Sequence, residues 1–324
     1  MRSPLAILSA AARVIAAVLA IAAAAPAWAA GATPLVSVDW LAAHRGDPDI
    51  VVLDIRSAID GGGGEAFAMA HIPGAVHSDY DKAGWRVTRD GVPFRLPNVA
   101  ELEKLIGELG IDEDNHVVVV PAGVHASDFA AAARVYYTLK VAGLAQVSIL
   151  DGGLAAWAKQ ANPVEGGTRE PSPKIFTASI DRKLIAATPD VEQAERNHAA
   201  LVDARPAAFF LGRDKAPQVS LYGHIGHAIN LDHARFYDPS TNRLRPFAEL
   251  ARIAALVPTG SAITYCNTGH WAATDWFVLS EILGRKDTRV YDGSMAAWTA
   301  DTSRPVVSSR TKWDDLKKAL GLGT

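Results

Sequence analysis

The sequence contains one cysteine, and the run around it, Tyr265-Cys266-Asn267-Thr268-Gly269-His270-Trp271, holds the residue types best suited to covalent chemistry. A lone cysteine cannot close an intramolecular disulfide, so it is either a small buried hydrophobe or a reactive thiol. Ala262 to Tyr265 reads as a short buried strand, and Ala272, Trp276, Leu279 and Leu283 recur at the spacing of one buried helical face. Cys266 is therefore predicted at a strand end, just before a helix N-terminus. Unpaired amide N–H groups and the positive end of the helix dipole converge there and stabilise an anion such as a thiolate or a persulfide. Gly269 permits the left-handed backbone that such a loop needs, and Thr268 and His270 can add donors.

The elements that must position this loop occur twice. An apolar strand ending in Asp-x-Arg appears as Val51-Val52-Leu53-Asp54-Ile55-Arg56 and as Leu201-Val202-Asp203-Ala204-Arg205. A His-Ile turn follows in each half, at His71-Ile72-Pro73-Gly74-Ala75-Val76 and at His224-Ile225-Gly226-His227-Ala228-Ile229. Ile149 to Trp157, with Asp151-Gly152-Gly153, then matches Val290 to Trp298, with Asp292-Gly293-Ser294. Between these signatures each half has strand, loop and helix, the pattern of a parallel sheet covered by helices on both faces. The halves diverge at the cysteine, because the first reads Val120-Pro121-Ala122-Gly123 and has no thiol. Asp54 with Arg56 and Asp203 with Arg205 read as structural ion pairs at strand ends, the second pair supporting the site.

Two α/β domains are thus expected, at 34–161 and 180–300, with a Pro- and Gly-rich exposed linker at 162–179 and a tail at 301–324 that includes a short amphipathic helix from Thr311 to Leu320. The formal charge of −3, with Lys and Arg scattered, offers no basic patch for nucleic acid. At the start of the chain, Arg2 and Arg13 precede the apolar run Val14 to Ala25, too short to span a bilayer, and Pro26-Ala27-Trp28-Ala29 supplies small residues at −3 and −1. Residues 1–29 are read as a cleaved export signal, giving a periplasmic protein with no membrane attachment after cleavage. An exported protein ordinarily pairs its cysteines, so an unpaired one points to function.

Together these motifs resemble the two-domain rhodaneses over nearly all of residues 35–300. The resemblance implies two tandem rhodanese-like domains, the first inactive, and a sulfurtransferase whose Cys266 carries sulfur as a persulfide. The loop Asn267, Thr268, Gly269, His270 and Trp271 would hold the substrate. No metal or organic cofactor is implied. The donor would be a small anion, and the acceptor a thiol or cyanide-like species; because a lone thiol in an oxidising compartment is open to oxidation, a thioredoxin-like protein is expected as acceptor or rescuer. Where many relatives place a substrate-binding arginine this chain has Phe209, leaving Arg213 or Lys215 to compensate. With a protonatable His270, those cations favour thiosulfate over 3-mercaptopyruvate as donor. The alternatives are a 3-mercaptopyruvate sulfurtransferase and a non-catalytic sulfur-carrying or partner-binding protein. A cysteine phosphatase would need an arginine where this chain has Ala272. The His224, His227 and His233 cluster lacks the helical spacing of zinc enzymes, and no Lys-Ser/Thr follows Gly61 to Gly64 to make a phosphate loop.

Overall fold

The structure, a computed structural model, describes residues 32–311 and 313. The expected export signal and nearly all of the expected tail helix lie outside the described residues. In the first half the strands are β1 Leu35–Val36, β2 Ile50–Asp54, β3 Val76–His77, a hairpin of β4 Val87–Arg89 and β5 Val92–Arg95, then β6 His116–Val120 and β7 Gln146–Leu150. The second half repeats them as β8 Ile185–Ala186, β9 Ala200–Asp203, β10 Ile229–Asn230, a hairpin of β11 Tyr237–Asp238 and β12 Arg243–Leu244, then β13 Ala262–Tyr265 and β14 Thr288–Tyr291. The first sheet runs β1-β7-β6-β2-β3 and the second β8-β14-β13-β9-β10, every pairing parallel, so the two topologies are the same.

Strands buried on both faces need apolar side chains in both alternations, which is why β6 reads as a run of valines. Val117 and Val119 face one core cluster, and Val118 and Val120 face another. The outer face of the first sheet is covered by Val38–His44, Gly64–Met69 and Gly153–Lys159, through Leu41, Phe67 and Trp157. The outer face of the second sheet is covered by Thr188–Arg196 and Ser294–Trp298, through Val191 and Trp298.

The inner faces share a single core. Helix Ala126–Val141 of the first half packs on His270–Trp276 of the second, whose course continues as π-type turns over Phe277–Ile282. Tyr136 meets Phe277 edge-on at 4.9 Å, and Tyr137 meets Trp276 at 5.0 Å. One apolar cluster therefore runs from Leu53 and Val119 to Val202, Cys266 and Val290. The two sequence repeats are joined through their buried surfaces, and the described residues from Thr33 onward form one compact unit.

The stretch expected to be an exposed linker is largely so, but it lies along the first half. Lys174 N donates to Gly107 O and Ser179 N to Ala142 O, both at 2.9 Å, and Phe176 is buried. Close approach explains two glycines there, since a Cβ on Gly107 would sit 2.5 Å from Lys174 O and one on Gly143 would sit 2.6 Å from Ser179 O.

Candidate active site

Cys266 directly follows β13, at the strand end where the sequence places it, and the residue is almost wholly buried. Its amide donates to Ser294 Oγ at 3.0 Å, and Ser294 Oγ donates to Tyr291 O at 2.9 Å, so the Asp292-Gly293-Ser294 turn fixes the backbone of the cysteine. The Sγ accepts from Thr268 N at 3.4 Å. Gly269 has φ 79, and a Cβ there would come within 2.3 Å of Arg134 Nη1 and 2.8 Å of Asp292 O. Only glycine suits both the backbone and the space.

The first half, which has no cysteine, shows what a loop of this shape binds. Leu154 and Ala155 donate their amides to Pro121 O and Ala122 O, as Met295 and Ala296 do to Cys266 O and Asn267 O. Pro121 therefore stands where the second half has Cys266. Three successive amides of this loop, from Ala122, Gly123 and Val124, donate to the carboxylate of Asp128 at 2.5–3.0 Å. Burial pushes that carboxyl up to about 6 despite the three donors. The first half gathers three loop amides on a carboxylate, and in the matching loop of the second half the Thr268 amide reaches the thiol.

The opposite wall of the site comes from the first half. A pocket of about 270 Å3 opens between Cys266, Thr268 and Trp271 on one side and Ile59, Arg86 and Phe94 on the other. Tyr80 Oη and Ser127 Oγ hydrogen-bond the two ring nitrogens of His270, at 2.7 and 3.0 Å, and Trp271 Nε1 donates to Ser127 Oγ at 3.1 Å. Arg134, fully buried in the first-half helix, donates to Gly269 O at 3.3 Å and forms an ion pair with Asp292. Asp292 also accepts from Arg95 Nε at 2.8 Å and Leu96 N at 2.9 Å. Burial alone would raise the Asp292 carboxyl, but Arg134 and then Arg95 outweigh it and hold it below the ordinary value.

These contacts correct the charge assigned to the loop. His270 is not a part-time cation: burial, then the charges of Arg86, His233 and Arg134, hold its pKa well below the usual value. A neutral ring has one donor and one acceptor nitrogen, and two hydroxyls satisfy both. Arg213 is exposed and does not line the pocket. Lys215 is also outside it, with Nζ donating to Val219 O at 2.5 Å and lying over the Tyr222 ring. Neither replaces the arginine that Phe209 displaces, and the Phe209 ring instead meets Trp271 at 5.9 Å. The pocket's cation is Arg86, which no local pattern distinguishes in the sequence.

The remaining candidates divide clearly. Arg205 Nε and Nη2 donate to Asp203 at 2.8 and 2.6 Å, Nη2 reaches Gly223 O at 2.8 Å, and Nη1 reaches Asn267 Oδ1 at 3.4 Å. Arg56 makes the same pair with Asp54 and reaches Ala70 O, with no loop side chain to hold. The three histidines of the second turn have separate partners. His224 stacks on Phe210 at 3.7 Å, His227 meets His198 at 4.2 Å, and the buried His233 stacks on Trp271 at 4.9 Å.

Comparison with known proteins agrees with this architecture. The rhodanese-like domain family matches residues 37–160 and again 190–301. The chain is 30% identical over 295 residues to 3-mercaptopyruvate sulfurtransferase of Escherichia coli (strain K12), covering 85% of this chain and 98% of the relative. It is 32% identical over 279 residues to thiosulfate sulfurtransferase of Bos taurus, covering 82% and 91%. The crystal structure of SseA from Escherichia coli, a 3-mercaptopyruvate sulfurtransferase, superposes with a TM-score of 0.70 at 29% identity, covering 81% of this chain and 98% of that one. With the repeated topology, the repeated family match and relatives that span both halves, the chain belongs to the rhodanese family as a two-domain member.

Proposed function

We propose that this sulfurtransferase carries sulfur on Cys266, in a catalytic domain at 180–300, while residues 34–161 form a silent domain and 162–179 connect them. The thiolate attacks the outer sulfur of a small anionic donor, a new S–S bond forms to Sγ, and the donor's bond to that sulfur breaks with its electron pair leaving on the remainder. From thiosulfate the leaving group is sulfite. From 3-mercaptopyruvate it is pyruvate, the thiol proton ending on the carbon that lost sulfur. Net charge is conserved in both cases. A thiophilic acceptor, a thiol or a cyanide-like anion, then removes the sulfur and restores the thiolate.

The observation that carries this reading is the silent loop. Its three amides converge on a carboxylate, and the matching loop of the second half presents Cys266 Sγ to the amide of Thr268. A persulfide places one more sulfur beyond Sγ and carries the thiolate's negative charge out onto it, the species that such a loop stabilises. Arg205, held by Asp203, orients Asn267 beside the cysteine. Incubation with donor followed by mass spectrometry should find one added sulfur on Cys266. A Cys266→Ser protein that still transfers sulfur would sink the idea.

The composition of residues 1–29 supports export to a bacterial periplasm with cleavage after Ala29. A single thiol in an oxidising compartment is open to sulfenic acid formation, and a thioredoxin-like protein would serve as acceptor or as its rescue. Mature protein recovered from the periplasm should begin at Ala30, and an intact Met1 there would overturn the export reading.

A further inference from the structure

The donor pocket has a charged wall, and that wall belongs to the silent half. Arg86 is the one cation among the pocket-lining residues. Its guanidinium lies over the ring of Tyr80 at 4.1 Å and against that of Phe94 at 4.7 Å, and the side chain is only 8% exposed. Nη2 donates to Asp81 Oδ1 at 2.8 Å, while Nε makes no hydrogen bond. An arginine clamped between two aromatic faces loses little further freedom on binding an anion.

The backbone of the β4–β5 hairpin carries a second sign. Phe94 has φ 62, in the left-handed region that a bulky side chain disfavours. At the matching place in the second-half hairpin, immediately before Arg243 as Phe94 is before Arg95, stands Asn242 with φ 56. Asparagine tolerates that conformation and phenylalanine does not. The first-half hairpin therefore carries strain at this position, and the ring so placed walls the pocket and holds Arg86.

We propose that Arg86 binds the anionic group of the sulfur donor from across the domain interface, taking the part left open by Phe209, and that its pairing with Asp81 makes the pocket select a monoanion over a dianion. This rests on Cys266 being the sulfur-accepting thiol. Asp81 already balances the single cation. A dianion entering beside it gains no more net attraction from the neutral pair than a monoanion does, yet gives up far more hydration in a half-buried space. Ile59, Phe94, Ala216 and Trp271 supply apolar surface for an organic body, which a mercapto acid or an organic thiosulfonate has and inorganic thiosulfate lacks.

The test compares kcat/KM for thiosulfate, 3-mercaptopyruvate and benzenethiosulfonate in the wild type, Arg86→Gln, Arg86→Lys and Asp81→Asn. The wild type should prefer the two monoanions. Arg86→Gln should raise KM for every donor by about ten- to a hundred-fold, the effect of losing a charged hydrogen bond, with Arg86→Lys in between. Asp81→Asn, a change at the pocket rim, should move the preference toward thiosulfate. Unchanged KM values in Arg86→Gln, or an unchanged donor preference in Asp81→Asn, overturns the inference. Mass spectrometry of the wild type separates this from the underlying reading: sulfur on Cys266 with unaltered KM in the variants defeats the role of Arg86 alone, whereas no sulfur from any donor defeats the proposed activity itself.

Discussion

Removing the charge of Asp292 should destabilise the protein far more than removing the charge of Arg134, although the two form one ion pair. Arg134 is completely buried, and Asp292 is its acidic partner. In Asp292→Asn the guanidinium stays in the core without a counter-charge, and Arg134 Nε already has no hydrogen bond. Breaking a buried pair in this way costs about 3–5 kcal/mol. In Arg134→Met the carboxylate keeps Arg95 Nε and Leu96 N, and the methionine stem replaces part of the packing, so a loss of about 1–2 kcal/mol is expected. At roughly 2–4 °C of Tm per kcal/mol for a domain of this size, Asp292→Asn should melt about 10 °C below the wild type and Arg134→Met a few degrees below. The double substitution should recover part of the loss. The Asp292 carboxyl is held below its usual value, so its contribution is fully present above the unfolded pKa of about 3.9 and is lost as pH falls through the lower folded value. Melting curves at pH 7, at a fixed scan rate, decide the matter. Equal losses in the two single variants, or a double variant worse than either, would falsify the claim that the buried guanidinium is the costly partner.

Two further outcomes are expected. His270 is neutral and buried, so between its depressed folded pKa and about 6.5 the unfolded chain binds a proton that the folded one does not. Stability should therefore fall by about 1.4 kcal/mol per pH unit on acidification through that window. Denaturant unfolding of His270→Gln should lack this part of the slope, and matching slopes in the two proteins would show that the ring titrates freely. In the silent half, Pro121→Cys combined with Cys266→Ser should take up no sulfur, because Asp128 already holds the three loop amides. An added sulfur at position 121 would show that the carboxylate does not block the cradle.

The fold was largely legible because duplication leaves a signal at every level. The valine run of β6, the two Asp-x-Arg strand ends and the two Asp-Gly turns all report local burial or local turns, and each is written twice. Cys266 was legible for the same reason, as the point where the repeat breaks. The far wall of its site was not. Tyr80, Arg86, Ser127 and Arg134 reach the loop from 135 to 190 residues away in sequence, and contacts at such separation follow no period. His270 was misread as a cation because the sequence places it in a loop beside the lone cysteine. Packing against Tyr80 and Ser127 then removes the water that protonation would need.

The first half supplies one wall of the pocket beside Cys266. Each half ends its hairpin in Arg-Leu, and each points that pair at the Asp-Gly turn of the other: Arg95 and Leu96 N hold Asp292, while Arg243 lies 3.9 Å from Asp151 and packs on Gly152. A single unit would leave its turn without a partner and would expose the inner core that runs through both sheets. Once two units pair in this way, one cysteine loop suffices, provided that the other half supplies what faces it. Here that is a guanidinium against the pocket, two hydroxyls that fix His270, and a buried arginine that braces Gly269. The first half has Pro121 in place of a cysteine, and Asp128 takes up the three amides of its loop.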